Sequence, residues 1–320
     1  MSEAIRTLFV GINHQSFLDL ENFGNENPLP SQMKLISSPT EDPDLIICVD
    51  VDRSALKIVR SMRHKNVTKV LVASEPEVVV PLNSHPKVLK EFDKVLQIGR
   101  PGQFPLLPWP QHLFENPATA HKPDSGKAIL IQSRKYSFVK GQLYSLRVVL
   151  ASSDKRVFVV GRSWAETWYR TLGRLIVELG RALRAGVAID WQTCISGFKT
   201  PVNLLGPAES KNVAMQEFKV AVVIENSQEY MSEKLFDAFV GGCIPVYVGP
   251  DLGAFGIPPT LYVSADATLD SVKRGISAAL AIDYVTWQNQ VKNFLAEEKT
   301  RELWSSGIAR LRILKAAITS

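Results

Sequence analysis

The sequence predicts an α/β protein made of two Rossmann-like lobes, on three observations. Short apolar, β-rich runs alternate with helical patterns through the first third of the chain. A stretch rich in proline, asparagine and histidine, PGQFPLLPWPQHLFENPATAHKPDSG at 101–126, then breaks both periodicities, because proline removes a donor and fixes φ. Beyond it the same alternation resumes. At 320 residues and 45% hydrophobic composition, the chain is long enough to fill two cores and too long for one small one. The expected organisation is a domain at 1–123 and another at 124–320, with a cleft between two lobes.

Each element has its own warrant. In the first lobe 7–11, 45–51, 69–73 and 94–98 read as buried strands, which implies parallel pairing with helical crossovers. Between them 53–63 carries Leu56, Val59, Arg60 and Met62 in a helical pattern, and 87–92 is a second short helix. After the break, 128–132 reads as a strand and 141–150 as a helix. Leu172, Leu175, Ile176, Leu179 and Leu183 fall at helical spacing, with Gly186 placed to end that helix. A strand at 220–224, a helix at 233–239, a strand at 244–248 and a helix at 269–280 complete the second lobe. There is no sequence repeat, low-complexity tract or heptad array.

Composition narrows the partners. The net charge of +5 and pI near 9.0 come from basic residues scattered along the chain, which suits an anionic ligand without pointing to nucleic acid. Cys48, Cys194 and Cys243 sit singly in apolar runs, the pattern of buried thiols and not of a disulfide framework or zinc cluster. His14, His64, His85, His112 and His121 show no metal-ligand spacing. The start, MSEAIRTLFVGINHQ, lacks a charged leader followed by a long apolar core, and no segment approaches about 18 uninterrupted apolar residues. The expectation is a cytoplasmic protein or a soluble catalytic fragment.

Chemistry concentrates in 218–250, FKVAVVIENSQEYMSEKLFDAFVGGCIPVYVGP. A buried strand ends in Glu225, Asn226 and Ser227, where open parallel sheets place their ligands. Ser232 is the expected N-cap of the next helix, Leu235, Phe236 and Phe239 its inward face, and Gly241 and Gly242 its stop. Lys234 falls in the first turn, where the helix dipole disfavours a cation by up to about 1 kcal/mol. A negative group there would reverse the penalty, and a pyrophosphate at a helix N-terminus is one such group. The bland alternative is a lysine reaching into water. Tyr230 and Glu233 add to a dense polar set at the sheet edge, suited to ribose and base contacts.

Glu225, Asn226, Ser227, Tyr230, Ser232, Glu233, Lys234, Ile244, Pro245 and Gly249 together resemble the donor motif of the α-1,3/1,4-fucosyltransferases, family 10 of the glycosyltransferases. The likeness is specific at those positions and extends over the second lobe, including the tail helices with Tyr284 and Trp287. It implies a GT-B fold, two Rossmann-like domains facing across a cleft, with GDP-fucose held by the C-terminal one and an oligosaccharide as acceptor. It further implies that Tyr230 packs near the guanine, Glu233 binds ribose and Lys234 binds phosphate. The family's second phosphate cation is an arginine shortly after a strand. Here the spacing brings Lys140 to that place, with Arg134 as the alternative; lysine keeps the charge but loses the bidentate fork. The loop between Asn226 and Tyr230 is also shorter than in bacterial members.

Inverting transfer needs a carboxylate to take the acceptor proton while cations stabilise the departing diphosphate. The run 69–73 ends in Ser74, Glu75, Pro76 and Glu77; Glu75 is the better match to the family's base, a glutamate after an N-terminal-lobe strand, with Glu77 the weaker alternative and a plain turn residue before proline the bland one, since only geometry assigns a general base. Asp50 and Asp52 form a DxD that would suit a divalent metal on a diphosphate. It lies away from the donor motif, however, and Asp52 precedes a helix start, so capping is the simpler role. No metal or other cofactor is expected. Arg301, Arg310, Arg312 and Lys315 with Leu303, Trp304, Ile308, Leu311 and Ile313 make the C-terminus a basic, partly amphipathic helix, suited either to an anionic membrane surface or to packing back on the lobes. Two other functions stay open: a GT-B enzyme using another nucleotide sugar, and a catalytically degenerate relative that only binds carbohydrate or nucleotide.

Overall fold

The structure is a computed structural model and describes residues 4–19, 29–100, 126–300 and 306–319, with no side-chain detail for 306–309. The chain divides into two compact units, Met1–His112 with Glu302–Ser320, and Leu113–Arg301. The C-terminal residues thus depart from the expected 124–320 domain and join the first unit. The break at 101–126, His112, His121, Arg301, Leu303 and Trp304 lie outside the described residues, apart from Gly126.

The first unit holds a parallel five-stranded sheet of β1 (Ile5–Val10), β2 (Met33–Ile36), β3 (Leu45–Val49), β4 (Thr68–Ala73) and β5 (Lys94–Gln97), in the order β2-β1-β3-β4-β5. Both faces are covered, which is why its central strands read as unbroken apolar runs. Along β3, Ile46 and Cys48 face one core with Leu56 and Val59 of α2 (Arg53–Ser61) and Val88 of α3 (Pro86–Leu89). Leu45, Ile47 and Val49 face the other, with Phe17 of α1 (His14–Leu18).

The second unit holds a parallel six-stranded sheet of β6 (Ala128–Ile131), β7 (Val157–Val160), β8 (Asn203–Gly206), β9 (Val220–Ile224), β10 (Ile244–Val248) and β11 (Val263–Ser264), in the order β11-β10-β9-β6-β7-β8. The helices fully within its described residues include α4 (Tyr144–Ser153), α5 (Trp168–Ala185), α6 (Gln192–Ser196), α7 (Lys211–Met215), α8 (Lys234–Val240), α9 (Leu269–Ala281) and α10 (Tyr284–Ala296). As expected, α5 ends on Gly186 in the left-handed region at φ 66°, and α8 stops at Gly241 and Gly242.

The last helix, α11 (Ser306–Ile318), buries Ile313, Leu314 and Ala317 in the first unit's second core. Lys94 Nζ donates to its Ala316 and Thr319 carbonyls at 2.7 and 2.9 Å. Its apolar face is therefore taken up by protein, and Arg310 is buried as well. Of the two roles expected for this helix, an anionic membrane surface or packing back on the protein, the second accounts for its described residues Ile313, Leu314 and Ala317.

Both sheets change winding direction once. In the first the chain runs outward from β1 to β2 on one side and from β3 to β5 on the other; in the second, from β6 to β8 and from β9 to β11. Such switch points open a crevice beyond the carboxyl ends of the two central strands. In the second unit those ends are Ser133 to Lys135 after β6 and Glu225 to Ser227 after β9, so the sheet order puts the motif at the crevice.

Candidate active site

Glu225 follows β9 directly and is fully buried. Its Oε1 accepts the Ser232 backbone N–H at 2.9 Å; Oε2 accepts the Ser232 hydroxyl at 2.6 Å and the Lys234 ammonium at 3.1 Å. Lys234 Nζ also donates to Ser232 Oγ at 2.6 Å. The three side chains thus form one cluster, and the lysine, 18% exposed, is paired with a buried carboxylate instead of reaching freely into water. The anion that offsets the first-turn cation penalty is supplied by the chain itself. An ammonium carries three donors, so one remains after Glu225 and Ser232.

Ser232 serves the start of α8 as expected, its hydroxyl oxygen accepting the Lys234 backbone N–H at 3.4 Å, though the helix proper begins one residue later. Glu233, next in sequence, makes no side-chain cap bond, and the Ser232 O–H is left to donate to the buried Glu225 carboxylate, a strong acceptor. Glu233 is partly buried, which raises its carboxyl pKa, yet Lys234, Lys211 and Lys135 together hold it below the usual carboxylate range. Lys211 bridges Asp237 at 2.6 Å and Glu233 at 3.8 Å. Tyr230 is buried, and Asn226 and Ser227 line the loop between β9 and α8.

Gly249, in the motif, has a steric reason. A Cβ there would stand 2.5 Å from the Tyr247 hydroxyl oxygen and 2.8 Å from Glu225 Cγ. Burial first, then the nearby Glu225 charge, drives the Tyr247 phenol well above its ordinary pKa.

Sequence reasoning missed Arg147, whose only signal was a lone cation inside the apolar run of α4. Its guanidinium is buried and donates from Nε and Nη2 to the Ile224 carbonyl at 3.1 and 2.6 Å, and from Nη2 to Asn226 Oδ1 at 3.0 Å. Desolvation pushes its pKa down to about 10, so it stays a cation at neutral pH. It ties the end of β9 to α4. The loop before α4 is stitched to the same place: Leu143 N donates to the Asn226 carbonyl at 3.0 Å, and Gln142 pairs with Ser227 in an isolated bridge. Lys140 is exposed on that loop, two residues from Gln142.

Arg134 is placed elsewhere. Buried between the rings of Tyr136 and Trp164, it donates to the Gly197 and Lys199 carbonyls at 2.5 and 2.8 Å. Two backbone acceptors and two aromatic faces outcompete water for a planar cation. Its neighbour Lys135 is exposed and acts on Glu233, so it, with Lys140, is the open cation after β6.

In the first unit Asp50 is the organising residue. It is buried at φ 57°, and its carboxylate accepts Ser74 N at 2.8 Å, Glu75 N at 3.0 Å, and Asn83 and Asn13 Nδ2 at 2.6 Å each, together with the Ser74 hydroxyl. Glu75, partly exposed, also has its carbonyl held by Asn83 Nδ2 at 2.9 Å. Gly11 lies at this switch point with φ 106°, where a Cβ would be 2.3 Å from the Val49 carbonyl oxygen. The DxD is thus divided: Asp50 fastens three loops, while Asp52 caps α2 by accepting Ala55 N at 2.7 Å. Cys48 and Cys243 are buried free thiols and Cys194 is half-buried.

No family model matches the chain, and no curated protein sequence does. Among solved structures it is similar to an α1,3-fucosyltransferase crystallised with GDP, at 15% identity and TM-score 0.51, covering 100% of this chain and 93% of that one. HepE from Anabaena, crystallised with UDP and glucose, gives 11% identity and TM-score 0.54, with 99% and 100% covered. A glycosyltransferase from Rickettsia africae gives 11% and 0.52, with full coverage of both chains. The chain therefore has an α/β fold of the GT-B type.

Proposed function

We propose that the chain is an inverting glycosyltransferase that moves fucose from GDP-fucose to a glycan hydroxyl. The observation that carries the proposal is the Glu225, Ser232 and Lys234 cluster at the crevice of the second sheet, on the residues that resemble the fucosyltransferase donor motif. Glu225 sets the Lys234 ammonium in place, and the remaining donor of that ammonium, with Lys140 and Lys135, receives the diphosphate. Glu233 takes the ribose. Tyr230 takes the guanine, which requires its buried ring to be uncovered on binding.

The chemistry is one displacement. Glu75 removes the acceptor proton, the acceptor oxygen forms a bond to the anomeric carbon, and the bond from that carbon to the phosphate oxygen breaks with inversion. GDP leaves with the electron pair, stabilised by the lysines. No covalent enzyme intermediate forms. Turnover is proposed to need no divalent metal, so chelation by EDTA should leave the rate unchanged.

The test is release of GDP or UDP from a panel of nucleotide sugars, with and without oligosaccharide acceptors. Acceptor-dependent GDP release from GDP-fucose is expected. Preference for a UDP-sugar would move the enzyme to a different donor, and tight nucleotide binding without turnover under any acceptor would make it a binding relative.

A further inference from the structure

The outer face of α5 carries a concentration of exposed large hydrophobic side chains. Its inward side is closed by Thr171, Leu175, Ala182 and Ala185. Placed at about 100° per residue, Trp168, Tyr169, Leu172, Ile176, Leu179 and Leu183 fall in one arc of about 100°. All but Leu179 are exposed, Trp168 at 69% and Ile176 and Leu183 at 61% each. The apolar surface continues onto α6. Leu179 of α5 and Cys194 of α6 pack against the same buried cluster of Tyr136, Phe138, Leu175 and Ala182, and a Cβ on Gly197 would meet Leu175 at 3.0 Å. Trp191, Ile195 and Phe198 flank that contact and are at least half exposed.

Beside the apolar arc runs a basic one, with Arg170, Arg181 and Arg184 exposed. The helix's own acid, Glu178, pairs with Arg181, and Glu166 ahead of the helix pairs with Arg174. Arg170 and Arg184 have no carboxylate partner among the described residues. A broad apolar stripe bordered by arginines, with Trp and Tyr at one end, is the pattern of a helix lying in a lipid headgroup layer. A second copy fits less well, since an isologous contact through this face would set arginines against arginines.

We infer that α5, with the exposed edge of α6, docks the protein on an anionic lipid surface, its apolar stripe entering the interface and Arg170, Arg181 and Arg184 meeting headgroup charges. The full chain should co-sediment with vesicles of phosphatidylcholine mixed equally with phosphatidylglycerol, and far less with phosphatidylcholine alone. Ile176→Glu with Leu183→Glu should lower the partition coefficient at least about tenfold. Arg170→Glu with Arg184→Glu should lower it about fivefold or more per arginine. All four side chains point outward, so the thermal midpoint should stay within a degree or so of the parent chain; a matched fall in midpoint and partition would overturn the assignment. Equal binding to neutral vesicles, unchanged binding in both double variants, or absence of binding to either vesicle would also overturn it. So would a self-associated dimer that Ile176→Glu dissolves, since the face would then belong to a second copy.

Discussion

On the proposed reading Lys234 does two jobs that a single substitution confounds. Removing its ammonium takes a donor from the proposed diphosphate, and it also leaves the buried Glu225 carboxylate without its cation, a loss that runs to roughly 3–5 kcal/mol in buried pairs. Lys234→Ala should therefore weaken GDP binding by about tenfold or more and lower the thermal midpoint as well. Adding Glu225→Gln should recover much of the midpoint and none of the affinity; calorimetric titration of GDP against both variants separates the effects, and recovered affinity would remove Lys234 from the donor site. For Glu75 the split is different. Glu75→Gln should lower kcat by about 10²- to 10⁴-fold with GDP affinity within about twofold, and an equal loss in both would remove it as the base. The polar set at 225–234 could be read from the sequence because residue types and spacing are local. Its pairing could not: whether Lys234 faces water, a ligand or Glu225 is decided by how the intervening loop closes. Arg147 was hidden for the same reason, as its acceptors lie 77 and 79 positions away.

At the scale of elements, most strands buried on both faces announced themselves as apolar runs, and the longer helices by period, α5 and α8 also by their glycine stops; α1, α6 and α7, five residues each, were too short to show a period. The strands that escaped are of two kinds. β2, β8 and β11 are sheet edges whose residues are partly to well exposed, so they have neither a continuous run nor a clean alternation. β7, VFVV, is as apolar as its neighbours but too short to stand out between two helices. Element junctions also hold the clearest pH-dependent feature. Arg60 and Arg63 at the end of α2 grip Glu91 beyond α3, with Arg60 Nε at 3.0 Å and Arg63 Nε at 2.9 Å. Hydrogen bonding from Arg63 holds the Glu91 carboxyl below its ordinary value, against the opposing effect of burial. A lowered folded-state pKa contributes stability that is fully present above the unfolded value, near 4.3, and is lost as pH falls through the folded value. Glu91→Gln should thus lower the first unit's thermal midpoint at pH 7 and make progressively less difference below about pH 4. A deficit that persists undiminished at pH 3 would show that packing, not charge, holds the junction.

The whole molecule has a connectivity that its local patterns do not disclose. A helix more than 200 residues beyond β5, on the far side of a complete second unit, closes one face of the first sheet. Sequence periodicity identified an amphipathic basic helix there but not which surface its apolar stripe would meet, because both a membrane and a sheet face accept the same pattern. The sheet wins on what it offers: Leu45, Ile47, Val49, Val70 and Val72 project to that face, and without a cover they would expose a large apolar patch. Leu314 is the test residue, 1% exposed and set among those strands. Leu314→Ala should cost about 2–5 kcal/mol, and the cost should fall on the first unit alone. Hydrogen exchange resolves where it falls, since amides report the stability of their own cooperative unit. Protection should drop in β3 and β4 while β9 and β10 keep theirs; loss across both sheets would mean that the two units unfold as one, and no loss in β3 would mean that the helix does not hold the first unit together.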